Sequence, residues 1–197
     1  TGVGIAATFR DQSDGWSQRI AFWDTSGNLL WVKDLGRPEY TFTFDNVVRG
    51  ESSILVMLRD TILSIDYNGN ILSKVKIPPY SSYTPFLAIF SNSNKYIVAD
   101  RGSNQTSARI FVYNIDLQCI NNFLIDGPID IIAVAEDGFY SISKRYDGII
   151  SNAARNLTKY DFNGNIMWSK HFPDHLMGHV SCDDCGNIYY AAVELIY

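Results

Sequence analysis

The sequence lacks most of the features that would assign it to a functional class at once. It has three cysteines, Cys119, Cys182 and Cys185, and an odd number argues against a disulfide framework. Basic residues are in deficit, with 16 Lys and Arg against 21 Asp and Glu. Because phosphate binding normally needs a basic face, we expect no nucleic-acid partner.

Long apolar runs and the common catalytic signatures are also missing. No run approaches the roughly 18 residues of a membrane span, and neither a Gly-rich phosphate loop nor a Ser-His-Asp signature is visible. No signal peptide is visible, and the sequence opens on Thr1 instead of Met. We therefore expect no membrane span, and we expect a processed or excised piece of a protein.

The chain does contain an internal repeat. Nearly the same eight residues occur as DTSGNLLW at 24–31, DYNGNILS at 66–73 and DFNGNIMW at 161–168, with a degenerate copy, NIDLQCI, at 114–120. The copies begin 42, 48 and 47 residues apart. A period of about 40 to 50 residues is typical of propellers, solenoids and helical arrays.

The residues around each copy favour strands over helices. Short stretches rich in β-branched and aromatic residues precede and follow the copies, for example RIAFWD and LLWVKDL. Asp or Asn at the first position can accept a hydrogen bond from the main chain two residues on, and Gly27, Gly69 and Gly164 can adopt positive φ. Each copy therefore predicts a tight hairpin with a bulge. A calcium loop of EF-hand type fits less well, because the Gly comes too early and no Glu stands at the twelfth position.

A second hairpin alternates with the first, as in AVAEDGFYSIS at 133–143. Each period then holds four strands, a to d, which is the content of a propeller blade. Strands b and c are nearly continuous apolar runs, whereas strand d alternates, with Lys74 and Lys76 predicted to protect an exposed edge. Trp31 and Trp168 occupy equivalent places, and we expect both to pack against the neighbouring blade.

The predicted fold is an all-β propeller of four-stranded antiparallel blades, with about four to five blades present. We place one partial domain over 1–197, with blades at approximately 1–35, 36–78, 79–125, 126–172 and 173–197, the last incomplete. Since closure hides the edges of a propeller, we expect a longer chain or further copies to complete the ring.

The repeat resembles that of the quinoprotein-like propellers, named for pyrroloquinoline-quinone dehydrogenases. FWDTSGNLLW and KYDFNGNIMW carry the resemblance, and the hairpins DGFYSI and GNIYYAA are also similar to those of NHL and related propellers. The resemblance implies a fold of six to eight blades. The quinone enzymes also need a vicinal disulfide and central calcium ligands; because no two cysteines here are adjacent, we expect no cofactor.

Function should reside on the longer b–c and d–a loops, since binding residues concentrate on loops held by a rigid scaffold. Mixed charge with Tyr and Trp suits a protein or carbohydrate partner. The candidate binding residues on this loop face are Arg10, Trp16, Arg37, Tyr80, Tyr83, Arg101, Arg145, Tyr146, Asp174 and His175. For any one of them, an ordinary solvated loop residue is the simpler interpretation.

Cysteine and histidine offer only a weak metal signal. The spacing of His179, Cys182 and Cys185 is one that a zinc site could use, but structural thiols, unligated thiols or a local disulfide explain it as well, so no metal is predicted. Cys119 is expected to be buried and inert. The sequons at Asn104 and Asn156 support an extracytoplasmic or cell-surface location.

Two hypotheses follow. The first is a non-catalytic module or scaffold that recognises a protein or glycan, or forms part of an extracellular assembly. The alternative is a quinoprotein-like or glycoside-processing enzyme with its site at the central channel, where paired carboxylates would act. The a strands, such as FLAIF and DIIAVA, are nearly free of charge, which favours the binding module.

Overall fold

The computed structural model describes twelve segments of the chain, and the structural statements below concern these alone. They are residues 4–11, 17–36, 47–49, 52–58, 60–78, 86–91, 95–101, 107–126, 129–144, 155–172, 175–183 and 187–194. All of the regular structure in them is β-strand, arranged as five antiparallel sheets in which consecutive strands are neighbours.

Three sheets have four strands each, and the first and last have three and two within the described segments. The first sheet contains β1 (Gly4–Asp11), β2 (Ser17–Asp24) and β3 (Leu29–Gly36). The second contains β4 (Val47–Arg49), β5 (Ser53–Leu58), β6 (Thr61–Asp66) and β7 (Ile71–Lys76). The third contains β8 (Phe86–Ser91), β9 (Lys95–Arg101), β10 (Ser107–Asn114) and β11 (Cys119–Asp126). The fourth contains β12 (Ile129–Val134), β13 (Phe139–Lys144), β14 (Arg155–Tyr160) and β15 (Ile166–Phe172), and the fifth β16 (His175–Cys182) and β17 (Ile188–Glu194). The prediction of four-stranded antiparallel units is confirmed.

The chain forms two compact units, residues 1–89 and 90–197, whose boundary falls within β8. In the first unit the core lies between the first and second sheets, where Phe22 packs with Val56 and Ile65. In the second unit one core includes Ile110 of the third sheet and Phe139 of the fourth. The hydrophobic effect thus acts on sheet faces, which explains why the middle strands are apolar along their length.

Inner and outer strands differ in burial as predicted. All residues of β5 from Ser53 to Met57 are buried, whereas β7 alternates between exposed and half-buried positions. Lys74 and Lys76 lie on the exposed side of β7, and Ser73 and Val75 lie on the half-buried side. Charged groups on an outer strand disfavour pairing with another chain.

The repeated eight-residue motif forms a three-residue hairpin turn, here called a corner. In the corner that begins at Asp66, the main-chain N–H of Asp66 donates to Asn70 O and that of Gly69 donates to Asp66 O. Gly69 has a φ of 87°, and a bulge follows Ser64 in the register of β6 with β7. The Asp24 and Asp161 corners are built in the same way. The predicted turn chemistry is confirmed.

The degenerate copy forms the same corner with different residues. Asn114 replaces the aspartate, and Leu117 takes the place of the glycine with a φ of 59°. This left-handed conformation strains a non-glycine residue, but the Leu117 side chain is buried. A further corner, Asp183 to Asn187, joins β16 to β17, where the sequence suggested only a short polar turn.

Cys119 was predicted to be buried, and this prediction is wrong. It is exposed at the start of β11, where its thiol donates to the main-chain oxygen of Asn121 at 3.3 Å. The register of β10 with β11 has a bulge between Val112 and Tyr113, so that Val112 pairs with Asn121 and Tyr113 pairs with Cys119. This bulge interrupts the alternation of exposed and half-buried residues along β11 and leaves Cys119 exposed. Strands also run further than predicted, through polar residues such as Ser17 and Gln18. The predicted first a strand, residues 40–44, lies outside the described segments.

Candidate functional site

Each sheet has two different ends. The corner end carries the corners that begin at Asp24, Asp66, Asn114, Asp161 and Asp183. The loop end is the opposite one, from which the b–c and d–a connections leave. The longest of these connections are residues 37–46, 77–85 and 145–154. The predicted binding residues belong to the loop ends.

At the corner ends the polar atoms are satisfied internally. Asp66 Oδ1 accepts hydrogen bonds from the main-chain N–H groups of Asn68 at 2.9 Å and Asn70 at 2.7 Å, and its Oδ2 accepts one from Asn70 Nδ2 at 2.9 Å. Asp24 and Asp161 make the same three bonds. Both oxygens of each carboxylate therefore accept hydrogen bonds that stabilise the turn.

The corner bonds also fix the charge of the three aspartates. The side-chain hydrogen bond from Asn28 is the largest cause that lowers the pKa of Asp24, and Asn70 and Asn165 act in the same way on the pKa of Asp66 and of Asp161. A hydrogen bond to the charged form favours that form. The three carboxylates are therefore ionised at neutral pH.

The outer strand of the first sheet is hydrogen-bonded to the corner of the second sheet. Trp31 Nε1 donates to the main-chain oxygen of Tyr67 at 2.9 Å, and Lys33 Nζ donates to that of Gly69 at 2.8 Å. The indole of Trp31 lies against Gly69, where an added Cβ would stand 3.1 Å from the ring. The predicted packing of Trp31 against the neighbouring sheet is confirmed.

The third and fourth sheets repeat this contact with different side chains. Asn121 and Phe123 stand seven and nine residues after Asn114, as Trp31 and Lys33 do after Asp24. Asn121 Nδ2 donates to the main-chain oxygen of Phe162 at 3.0 Å. The ring of Phe123 covers Gly164. The hydrogen-bond donor thus keeps its position along the strand, whereas the ring that covers the glycine stands seven residues after the corner start in the first sheet and nine in the third.

Trp168 behaves differently from Trp31. It contacts Tyr140 of its own sheet, with ring centroids 5.8 Å apart and a tilt of 49°. Its side chain is 38% exposed. Within the described segments it has no corner of a following sheet against it.

A cleft of about 170 Å³ lies between the first and second sheets near their corner ends. It is lined by Gly4, Ala6, Phe22, Val47, Val48, Arg49, Ile54 and Tyr67. Most of this lining is apolar, with Arg49 exposed at the surface. No motif in the sequence indicates the cleft, because it arises from the approach of β1 to β4.

The predicted loop-face residues fall into two groups. Arg10 lies on β1, Arg101 ends β9 and His175 begins β16, so these three stand on strand ends. The other predicted residues, Trp16, Arg37, Tyr80, Tyr83, Arg145, Tyr146 and Asp174, lie outside the described segments. Whether these side chains come together stays a prediction.

One described residue at a loop end was missed by the sequence analysis. Gln18 is only 2% exposed at the start of β2, and within the described segments its amide nitrogen has no hydrogen-bond partner. An unsatisfied buried donor destabilises the folded state unless something binds it. No residue pattern indicates this, because Gln18 falls at the end of the predicted b–c loop, residues 10–18.

Of the weak metal candidates His179, Cys182 and Cys185, only Cys182 has a described side chain. His179 lies on β16, and Cys185 lies outside the described segments. Cys182 is half-buried, and its thiol donates to the main-chain oxygen of Val134 at 3.0 Å. In the described part of the chain no group of three or more His, Cys, Asp or Glu side chains could hold a metal ion. Among those residues there is also no helix long and apolar enough to cross a membrane.

Comparison with known proteins identifies the fold. No family model matches the chain, and no curated protein matches it. Among solved structures, it is similar to the Dos1 propeller (15% identity, TM-score 0.54) over 89% of this chain and 49% of that one. The WD40 domain of Neurospora crassa Pan2 gives 17% identity and a TM-score of 0.54, over 89% and 54% of the two chains. The structure of BBS1N in complex with ARL6DN gives 10% identity and a TM-score of 0.56, over 95% and 62%.

These similarities and the five antiparallel sheets confirm the predicted class, an all-β propeller. At 10 to 17% identity they establish the fold alone. The chain spans 49 to 62% of the length of these three relatives.

Proposed function

We propose that this chain is a non-catalytic propeller module that recognises a protein or glycan partner through the loop ends of its sheets. The proposed contact residues are those predicted from the sequence, among them Arg37, Tyr83 and Tyr146. We also propose that the repeat is of the quinoprotein-like type, because a tryptophan seven residues after the corner aspartate packs on a glycine of the next corner.

The observation that supports this proposal is the difference between the two ends of the sheets. The carboxylate oxygens of the corner aspartates already accept hydrogen bonds within their own turns, as those of Asp66 do from Asn68 and Asn70. At the loop end, the buried amide nitrogen of Gln18 has no hydrogen-bond partner among the described residues. Polar groups that are already satisfied gain little from a partner, so the corner carboxylates are poorly suited to bind one.

The similarity to a propeller solved with a bound protein adds support. The BBS1N structure contains ARL6DN as its partner. A propeller scaffold can therefore present a protein-binding surface, and loops on a rigid scaffold are where such surfaces concentrate. For this chain the partner is proposed as a class, protein or carbohydrate.

Two further proposals complete this account. We propose a single partial propeller domain with the blade limits given above, completed by a longer chain or by further copies. We also propose an extracytoplasmic location, for which the sequons at Asn104 and Asn156 are the support. Asn156 lies on β14, with its Oδ1 2.8 Å from His171 Nδ1.

The test compares two variants of the full 197-residue chain. The loop-end variant carries Arg37→Ala, Tyr83→Ala and Tyr146→Ala, and the corner-end variant carries Ser26→Ala and Asn68→Ala. Partners are captured by crosslinking from an extract of the source cells and identified by mass spectrometry, and glycans are screened on an array. We expect the loop-end variant to lose a partner that the corner-end variant keeps.

Circular dichroism and thermal unfolding show whether both variants are folded. Loss of the partner in the corner-end variant alone would contradict the proposal. A bound quinone or calcium ion in purified protein, detected by absorbance or metal analysis, would favour the enzyme alternative.

A further inference from the structure

Two of the corners contain an asparagine directly before the corner glycine, Asn68-Gly69 and Asn163-Gly164. Both asparagines are exposed. At an Asn-Gly step the main chain attacks the asparagine side chain more easily than elsewhere, because glycine has no Cβ to hinder the approach of its nitrogen. No other asparagine in the sequence precedes a glycine.

The reaction at such a step is deamidation, and water is its only co-reactant. The glycine nitrogen loses its proton to solvent and forms a bond to Cγ of the asparagine, while the bond from Cγ to Nδ2 breaks and ammonia leaves. Water then opens the resulting succinimide ring. Cleavage between the ring nitrogen and Cγ gives aspartate. Cleavage between that nitrogen and the main-chain carbonyl carbon gives isoaspartate, in which the main chain runs through Cγ.

In the closed corner the attacking nitrogen is held in hydrogen bonds. The N–H of Gly69 donates to Asp66 O at 3.0 Å, and that of Gly164 donates to Asp161 O at 3.1 Å. The main-chain N–H of Asn68 is also bonded, to Asp66 Oδ1 at 2.9 Å. Removal of the glycine proton and rotation of the asparagine both break these bonds, so the reaction requires the corner to open locally.

The asparagine at the end of each corner is a poor site by comparison. Asn70 Nδ2 donates to Asp66 Oδ2 at 2.9 Å, and Asn165 Nδ2 donates to Asp161 Oδ2 at 2.8 Å. Each of these asparagines is followed by an isoleucine, whose branched Cβ crowds the nitrogen that would attack. Each corner thus contains two asparagines, of which only the first can react readily.

We propose that Asn68 and Asn163 are modification sites that deamidate spontaneously when their corners open. Isoaspartate at position 68 lengthens the main chain of a three-residue turn, so the bond from Gly69 to Asp66 cannot re-form in the same geometry. Aspartate at position 68 places a second carboxylate beside that of Asp66. In the Asn114 corner an aspartate stands at this position, but the first residue there is neutral. Either product therefore destabilises the corner.

At Asn68 the modification also affects the neighbouring sheet. The main-chain oxygens of Tyr67 and Gly69, on either side of Asn68, accept the hydrogen bonds of Trp31 and Lys33. A lengthened corner cannot present both oxygens at their present positions. Deamidation of Asn68 should therefore loosen the contact between the first and second sheets.

The test ages the full chain at mildly alkaline pH and measures deamidation residue by residue. Trypsin releases the two corners in separate peptides, 60–74 and 160–170, and mass spectrometry with fragmentation distinguishes asparagine, aspartate and isoaspartate in each. We expect product at Asn68 and Asn163, and much less at the asparagine that ends the same corner. Both sites should react faster in urea, where the corners are open.

Trp31→Phe tests whether local opening of the corner sets the rate. Because opening and closing are fast beside the reaction, the rate follows the open population. The variant removes the hydrogen bond to Tyr67 O, so Asn68 should deamidate about fivefold faster, the effect of one hydrogen bond on the open population. Asn163 should keep its rate, because its corner belongs to the other unit. Trp168→Phe is the matched control and should leave the rate at Asn68 unchanged.

Asn68→Ser removes the site and keeps the corner. Ser26 holds the equivalent position in the Asp24 corner, where its main-chain N–H donates to Asp24 Oδ1 at 2.9 Å. In the aged parent chain the indole N–H of Trp31 should exchange with deuterium faster than before ageing. In the aged Asn68→Ser variant this exchange should be unchanged.

Four results would overturn the proposal. The first is a rate at Asn68 and Asn163 that is the same in the folded chain and in urea, and the second is equal product at the asparagine that ends each corner. The third is equal acceleration of both sites by Trp31→Phe, because global unfolding would then be the route. The fourth is unchanged Trp31 exchange in the deamidated parent. None of these depends on the loop-end residues, so the proposed binding function is tested separately.

Discussion

The indole Nε1 of Trp31 lies 2.9 Å from the main-chain oxygen of Tyr67, to which it donates a hydrogen bond. This bond joins the outer strand of the first sheet to the corner of the second. The stack of Trp31 on Phe22, with ring centroids 5.5 Å apart, holds the indole in place from its own sheet. The corners are thus contacts between sheets as well as turns within them.

Two substitutions of Trp31 should destabilise the first unit to different extents, because one removes only the hydrogen bond and the other also removes the packing. Trp31→Phe keeps an aromatic ring on Gly69 but loses the donor, and should lower the free energy of unfolding by about 1 kcal/mol. Trp31→Ala also loses the packing and should lower it by about 2 to 3 kcal/mol, somewhat below the range for fully buried aromatics because Trp31 is half-buried. Urea unfolding followed by circular dichroism measures both.

Trp168→Phe is the matched control for Trp31→Phe. Because Trp168 is exposed and its indole has no following corner in the described segments, its replacement should change the free energy of unfolding by less than about 0.5 kcal/mol, as at other surface positions. Equal losses in the two Phe variants would argue against the Trp31 contact.

The corner glycines should differ in their tolerance of alanine. Gly27 and Gly69 both have positive φ, 83° and 87°, so each alanine should cost about 1 kcal/mol in backbone strain. No atom lies within 4 Å of a Cβ built on Gly27, whereas a Cβ on Gly69 approaches the Trp31 ring to 3.1 Å. Gly69→Ala should therefore be the more destabilising of the two in thermal unfolding, and equal losses would contradict the inter-sheet role of Gly69.

The corners could be predicted from sequence because their chemistry is local. An aspartate that accepts from the main chain two residues on, with a glycine at the third, defines the turn within five residues, as in Asp66 to Asn70. The strands follow from the apolar runs between the corners. The fold class could therefore be predicted without knowledge of any contact between sheets.

The remaining features depend on contacts distant in sequence. Cys119 is exposed because of a bulge in the strand pairing, and no residue type in the sequence predicts that bulge. The bond from Asn121 to Phe162 spans 41 residues, and an asparagine there does not resemble a tryptophan in sequence. The cleft lined by Val47 and Phe22 likewise forms only where strands from different parts of the chain meet. The same holds for the burial of the Gln18 amide nitrogen.

The corner aspartates should make stability depend on acid pH. Their folded pKa values lie below the ordinary aspartate value of 3.8, first because of the asparagine side-chain bonds. Their contribution is fully present above pH 3.8 and is lost as the pH falls through the depressed folded values. Unfolding measured by urea between pH 2.5 and 6 should show this decline at the acid end.

Asp66→Asn is the variant that isolates this charge. Asn114 already holds the same kind of corner, since its Oδ1 accepts from the main-chain N–H groups of Asp116 and Gln118. The variant should keep the fold and show a smaller loss of stability at low pH than the parent. An unchanged pH profile would mean that the Asp66 carboxylate does not contribute to the acid dependence.

Leu117→Gly should destabilise the protein although it relieves strain. A leucine at a φ of 59° is strained by about 1 to 2 kcal/mol. Its side chain, however, is 5% exposed, and loss of a buried leucine costs about 2 to 5 kcal/mol. The difference between the middle values of these two ranges is a net loss of about 2 kcal/mol, which should appear in urea unfolding. A gain in stability would show that the packing of Leu117 contributes little.

Hydrogen exchange of the indole protons tests most directly whether the outer strand of one sheet is bonded to the corner of the next. The indole N–H of Trp31 is bonded to Tyr67 and half-buried, whereas that of Trp168 lies on an exposed ring. In deuterated buffer the account predicts slow exchange for Trp31 and near-solvent exchange for Trp168. Equally fast exchange of the two protons would contradict it.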